Sequence, residues 1–232
     1  MHALIGIQAR STSVRLPNKA LVPFDGKPAL ERVLDACEKA KDYLAKDCKT
    51  DVVILCPKGD PIKDAFKNHI VIDGSEKNVL SRYVAAQELI NPDYMVRVTG
   101  DCYLHSPKVI ATAIRTAVKR DADYTSNVEP RVRTALDGHD VEVLSPRMLD
   151  WVKRHALTDY DREHVTTIIR EKYPEWCKIV HLVSDLDLSH LKLSVDTAED
   201  FNYVANVYRS TREKKQKLDQ MCGMHNHSYF VY

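Results

Sequence analysis

Apolar positions recur in two rhythms along this chain. Short continuous runs alternate with stretches of helical spacing. Residues 3–9 form an apolar run that ends in polar residues, the pattern of a buried strand. Gly26, Lys27 and Pro28 precede a helical stretch with Leu30, Val33, Leu34 and Cys37 on one face. Residues 51–56 predict a second strand, and Asp60 with Pro61 marks a helix start. Residues 69–73 predict a third strand, followed by Val79, Leu80, Tyr83, Val84 and Gln87 at helical spacing. Residues 94–99 predict a fourth strand ending at Gly100 and Asp101. Ser106 and Pro107 then open a helix with Val109, Ile110, Ala113, Ile114 and Ala117 inward. This alternation predicts βαβ units and a mostly parallel sheet.

The rhythm changes after Asn127. Asp137 and Gly138 signal a turn, and residues 141–144 read as a short strand. Helices are expected after Ser145-Pro146 and from the 159–161 cluster. Strands are expected at 178–183 and 191–195. Thr197 and Asp200 resemble a capping box for a helix through Tyr208. The chain therefore reads as one domain over 1–210, with an acceptor and dimerisation insertion near 128–185 and a C-terminal tail over 211–232.

Composition narrows the function classes. The 232 residues are 44% hydrophobic and 29% charged, with a net charge of +1. That balance disfavours nucleic acid as a partner, which needs a one-signed surface, but leaves room for a small anionic substrate. No apolar run is long enough to span a bilayer, and the N-terminus reads as a strand, so the cytoplasm is the expected location. The six cysteines are scattered without a Cys-x-x-Cys pair and read as reduced thiols.

Candidate chemistry lies at three predicted strand ends, where open α/β sheets bind ligands. Leaving the first strand through Gln8 and Ala9, residues 10–19 carry three cations (Arg10, Arg15, Lys19) and three hydroxyls (Ser11, Thr12, Ser13). Guanidinium forks and a lysine point charge suit phosphate oxygens, although the segment is neither a P-loop nor a Gly-x-Gly-x-x-Gly turn. The same composition also suits a solvated basic loop. Asp101 and Asp196 each follow a predicted strand. Two carboxylates plus substrate phosphates suit Mg²⁺, while either aspartate alone suits a turn or a helix cap.

The spelling of these segments adds a resemblance. Arg10-x-x-Ser13-x-Arg15-Leu16-Pro17-x-Lys19 resembles the signature loop of the cytidylyltransferase family that activates acidic sugars. The similarity is greatest to the spore-coat polysaccharide biosynthesis cytidylyltransferase-like branch, with the 3-deoxy-manno-octulosonate cytidylyltransferases as more distant relatives. Gly74-Ser75-x-x-Asn78-Val79-Leu80-x-Arg82-Tyr83, the 97–102 strand end, 124–127, 137–142, 162–166 and 195–200 match further segments in order. The resemblance covers about residues 3–208. It implies a Rossmann-like three-layer α/β nucleotidyltransferase that transfers CMP from CTP to a small acceptor, with Mg²⁺ and as a homodimer.

By that resemblance, Gln8, Ala9, Arg10, Ser13, Arg15, Lys19, Asn78, Arg82 and Thr99 contact the nucleotide. Asp101 and Asp196 hold the metal, and Arg15, Lys19 and Asp101 are catalytic. Acceptor candidates are Tyr103, Tyr124, Ser126, Asn127, Asp137, Asp140, Glu142, Arg162 and His164, each of which also suits a cap, a turn or a subunit contact. Two positions depart from the family pattern: Tyr103 stands where proline is usual, and Asn18 stands where glycine is usual. The first leaves a phosphonate or phosphorylated acceptor open beside a sugar acid.

Two other motifs carry less. Cys222, His225 and His227 offer three local metal ligands where structural zinc wants four. Asp185 and Asp187 resemble the Asp-x-Asp of nucleotide-sugar glycosyltransferases, but read as a turn. A glycosyltransferase and a catalytically silent binding protein are the alternatives. The cationic loop disfavours the first, and retention of Lys19 and Asp101 disfavours the second.

Overall fold

The computed structural model describes residues 1–222, with side chains through residue 214. Strand β1 (His2–Gln8) sits centrally because both of its faces are apolar. Ala3, Ile5 and Ile7 enter one core and Leu4 the other. β4 (Lys49–Pro57) behaves alike, sending Val52, Ile54 and Cys56 to the first core and Val53 and Leu55 to the second. Each fully buried Leu or Ile contributes roughly 1.5–3 kcal/mol relative to exposure, so this two-sided burial fixes both strands in the middle of a layered fold.

The remaining strands are β2 (Pro23–Phe24), β3 (Lys27–Pro28), β5 (Val71–Gly74), β6 (Tyr94–Thr99), β7 (Tyr124–Ser126), β8 (Glu142–Leu144) and β9 (Ile179–His181). The main sheet has seven strands in the order β5-β4-β1-β6-β8-β7-β9. All neighbours pair in parallel except those of β8, which runs antiparallel to both β6 and β7. One helical layer holds α1 (Ala29–Leu44), α4 (Pro107–Arg120) and the start of α8 (Ala198–Cys222). The other holds α3 (Val79–Ile90), α5 (Pro146–His155) and α7 (Thr167–Glu171). α2 (Ile62–Ala65) and α6 (Asp159–His164) are short connectors. The expected three-layer α/β architecture with a mostly parallel sheet is what forms. Among the described residues no helix is long and apolar enough to cross a membrane.

Several elements differ from expectation. Residues 191–195 do not form a strand. Asp137 makes a single bridge to Lys192, with its N–H donating to the Leu191 carbonyl and its carbonyl accepting from Leu193 N–H. Val195 N–H then donates to the Asp101 carbonyl. The segment thus passes between two partners instead of pairing continuously with one. Gly138 permits the crossing: its φ is +116°, and a Cβ there would stand 2.7 Å from the Leu193 carbonyl carbon. β7, α7 and the β2-β3 hairpin, turned by Asp25 and Gly26 at positive φ, were not expected from the pattern. The capping box at Thr197 and Asp200 is present, and α8 continues past Tyr208. His225 and His227 lie outside the described residues.

Candidate active site

The 10–19 loop leaves the C-terminal end of β1 and is tied down at both ends. Ser11 donates through its N–H (2.8 Å) and its hydroxyl (3.0 Å) to the buried Asp60 carboxylate, which also accepts from Ile62 N–H. Asn18 adopts φ +56°, a left-handed conformation that asparagine tolerates, and its N–H closes the loop on the Ser11 carbonyl at 2.9 Å. These anchors aim Lys19 inward. Its ammonium donates to Asp101 Oδ2 at 3.0 Å, Asp196 Oδ1 at 3.3 Å and the Val195 carbonyl at 2.9 Å. Arg15, mostly exposed, reaches Asp196 Oδ1 at 2.9 Å. Burial alone raises the Asp101 pKa. The Lys19 ammonium and the Thr99 hydroxyl override it, so the carboxyl titrates below its usual range. It is therefore an anion at neutral pH, suited to hold a cation and not to donate a proton.

The loop and the two aspartates frame a cleft of about 390 Å³ at the carboxyl ends of β1 and β6. Gln8, Ala9, Arg10, Ser13, Arg15, Lys19, Arg82 and Thr99 all line it, as do Glu163 and His164. Gly100 lets β6 close against β1, since a Cβ there would lie 2.9 Å from Ala9 Cβ. Arg82 is 2% exposed. Its guanidinium donates to the carbonyls of Leu55 (2.8 Å) and Ala9 (3.4 Å), and burial lowers its pKa. Asn78 does not line the cleft. Its side chain caps α3 by accepting from Ser81 N–H at 3.0 Å. Arg10 pairs with Glu163 at 3.4 Å across the mouth.

A second cleft of about 290 Å³ adjoins the first and shares Arg97, Thr99, Asp101 and Asp196 with it. Its other walls include Arg133, Asp137, Asp140, Glu142, Arg170 and Ser194. Arg97 and Glu142 lie directly opposite each other on β6 and β8 and form a buried ion pair. Glu142 also accepts from the Tyr124 and Thr166 hydroxyls, and Arg97 Nε donates to Gln8 Oε1 at 3.1 Å. Burial lowers the Arg97 pKa, yet the Glu142 charge outweighs it and the net direction is up. Asp140 pairs with Arg133 at 2.6 Å, but burial dominates and pushes its carboxyl up to about 6.

The acceptor candidates therefore divide. Asp137, Asp140 and Glu142 face the second cleft, and His164 faces the first. Tyr103 is buried among Phe24 and Phe201, and its hydroxyl donates to the Lys19 carbonyl at 2.7 Å. Tyr124 and Ser126 are buried in β7. Asn127 braces the 139–141 turn, donating to the His139 carbonyl and accepting from Val141 N–H. Arg162 lies away from both clefts, 3.8 Å from Asp159. Arg97, Arg133, Arg170 and Glu163 were missed. Arg97 alone left a trace, as a charge inside the β-branched run of β6. Asp187 accepts from Ser189 N–H within an exposed turn outside both clefts.

A family model for cytidylyltransferases matches residues 4–232. The chain belongs to that family. This cytidylyltransferase is 30% identical over 220 residues to the spore coat polysaccharide biosynthesis protein SpsF of Bacillus subtilis, covering 90% of this chain and 87% of that one. Its fold is shared with a cytidylyltransferase from Leptospira borgpetersenii, with a TM-score of 0.79, 24% identity and 99% of each chain covered. It is also shared with CMP:2-keto-3-deoxy-manno-octonic acid synthetase solved in complex with CTP. There the TM-score is 0.66 and the identity 16%, over 91% of this cytidylyltransferase and all of that chain.

Proposed function

We propose that this cytidylyltransferase transfers CMP from CTP to an oxygen of a small, hydroxyl-rich acidic acceptor, releasing pyrophosphate. The carrying observation is the convergence of Lys19, Asp101 and Asp196 at the wall shared by two clefts. CTP occupies the first cleft, with Arg10, Arg15 and Lys19 toward the phosphates. The acceptor occupies the second, where Arg170, bonded to the Val128 carbonyl at 3.4 Å, has further donors for an acidic group and Asp137 and Asp140 accept from acceptor hydroxyls. An acceptor oxygen bonds to the α-phosphorus as the bond to pyrophosphate breaks. The protein's part is positioning and charge neutralisation, so no covalent intermediate on the enzyme is needed.

Asp101 and Asp196 fit Mg²⁺. Their carboxylates and the Val195 carbonyl already gather around one cation, the Lys19 ammonium. Among the described residues no group of three or more His, Cys, Asp or Glu side chains is placed to hold a metal, and two carboxylates would suffice for Mg²⁺, which ordinarily takes one or two from the protein and its other ligands from water and substrate phosphates. When bound, it neutralises charge on the triphosphate. Lys19 and Arg15 hold the departing pyrophosphate.

The relationship to SpsF, a spore coat polysaccharide biosynthesis protein, favours an acceptor destined for a polysaccharide. The test is pyrophosphate release, crossing the four nucleoside triphosphates with sugar acids, sugar phosphates and phosphonates, with and without Mg²⁺. Release with CTP and a sugar acid is expected. No release with any pair, together with consumption of a nucleotide sugar, would overturn the proposal in favour of glycosyl transfer.

A further inference from the structure

We infer that Lys19 competes with a divalent cation for the space between Asp101 and Asp196 and surrenders it only to a triphosphate, so that the nucleotide, not the metal, opens the carboxylate pair. The inference rests on the functional reading of Asp101 and Asp196 as metal ligands and extends it to the order of binding.

An ammonium has three N–H donors. Those of Lys19 are all engaged, on Asp101 Oδ2 at 3.0 Å, Asp196 Oδ1 at 3.3 Å and the Val195 carbonyl at 2.9 Å. None is left for a phosphate in this arrangement. A Mg²⁺ ion touching both carboxylates at about 2.0–2.1 Å needs the space the nitrogen fills, and two cations at that spacing repel. The Lys19 side chain is 15% exposed, so the ammonium has little water to return to.

Asp196 is engaged further. Arg15 lies 2.9 Å from Oδ1, and Lys192 lies 3.4 Å from Oδ2. Lys192 is held more closely by Asp200, at 2.8 Å, so the two carboxylates face the equal and opposite charge of Lys19 and Arg15, which leaves little attraction for a free divalent ion. A triphosphate changes this balance. Its oxygens accept Lys19 and Arg15, which line the same cleft, and the carboxylates are left bare beside an anionic ligand. The nucleotide opens the pair to the extent that it binds the displaced Lys19 better than the aspartates do.

The test is Mn²⁺ alone, titrated by electron paramagnetic resonance against the full-length protein without nucleotide. Wild type is expected to bind Mn²⁺ weakly. Lys19→Met is expected to bind it at least about tenfold more tightly, and Asp101→Asn in that background to reverse the gain. Arg15→Met removes an equal charge from Asp196 but not from the space between the carboxylates, and is expected to shift affinity about threefold or less. Equal gains in the Lys19 and Arg15 variants would mean a general charge effect and overturn the inference. Tight, Asp101-dependent Mn²⁺ binding by wild type would overturn it while leaving the metal assignment standing. Mn²⁺ binding in Lys19→Met that ignores Asp101→Asn would sink the metal assignment itself. Calorimetry of wild type with CTP in EDTA gives a readout independent of variant folding: metal-free binding is expected, and its absence would refute nucleotide-first order.

Discussion

The Arg97–Glu142 pair offers the sharpest structural test, because Arg97 lines both clefts while Glu142 lines the second and is nearly sealed from water. Glu142 is 1% exposed and serves as acceptor for Arg97, Tyr124 and Thr166. Glu142→Ala strands a buried guanidinium whose remaining bond is to Gln8 Oε1, and leaves the two hydroxyls without that acceptor. Removing one member of a buried pair costs about 3–5 kcal/mol. For a chain of this size each kcal/mol lowers Tm by roughly 2–4 °C, so the expected fall is about 6–20 °C. Circular dichroism during heating, with urea titration in parallel, measures it. Arg97→Met should lose a comparable amount, since it leaves the Glu142 carboxylate buried and uncompensated. The double variant Arg97→Met/Glu142→Leu should recover most of the loss, because an apolar pair of similar volume needs no hydrogen bonds. A Tm drop below about 3 °C for Glu142→Ala, or additive losses in the double variant, would refute the view that this network holds the floor.

Asp101→Asn should abolish pyrophosphate release with an unchanged far-ultraviolet spectrum, and wild-type turnover would remove Asp101 from the metal site. Lys19→Ala should slow release by roughly two to three powers of ten in a single-turnover assay, as for other charge-stabilising donors. Gly138→Val should cost about 1–3 kcal/mol in urea and depress activity through Asp196, because the Leu193 carbonyl carbon must yield and φ is +116°; full activity would show that the 191–196 crossing is not braced there. Asp140, with its pKa raised to about 6, stabilises the fold when protonated and loses that contribution as pH rises through about 6. His105, buried to a pKa of about 4, works in the opposite sense, losing its contribution as pH falls below its ordinary value toward 4. Asp140→Asn should therefore raise Tm relative to wild type more at about pH 7 than at about pH 4, and a difference independent of pH would exclude it.

Much of this protein is written locally. The apolar runs of β1, β4 and β6 suit central strands covered on both faces, and Ser-Pro or Thr-x-x-Asp signals start α4, α5 and α8. The 10–19 loop and Asp101 stood out as candidates because strand ends in such sheets are ligand sites and because charges there are conspicuous, whereas Asp196 stood out through the family resemblance, since the strand expected before it does not form. Sequence could not show that Asp101 and Asp196 meet. That depends on Val195 N–H finding the Asp101 carbonyl, in a segment that resembles a strand and is held one bridge at a time past Gly138. Nor could it separate the acceptor candidates. Tyr103, Tyr124 and Asn127 are polar residues near element ends, yet their hydroxyls and amide are spent bracing Lys19, Glu142 and the 139–141 turn. Arg133 and Arg170 read as ordinary surface charges until the chain brings them to one cleft wall. Periodicity and capping act over a few residues and are settled by the chain itself. Which polar group faces solvent, partner or ligand is decided by contacts between residues distant in sequence, and only the folded sheet makes those contacts.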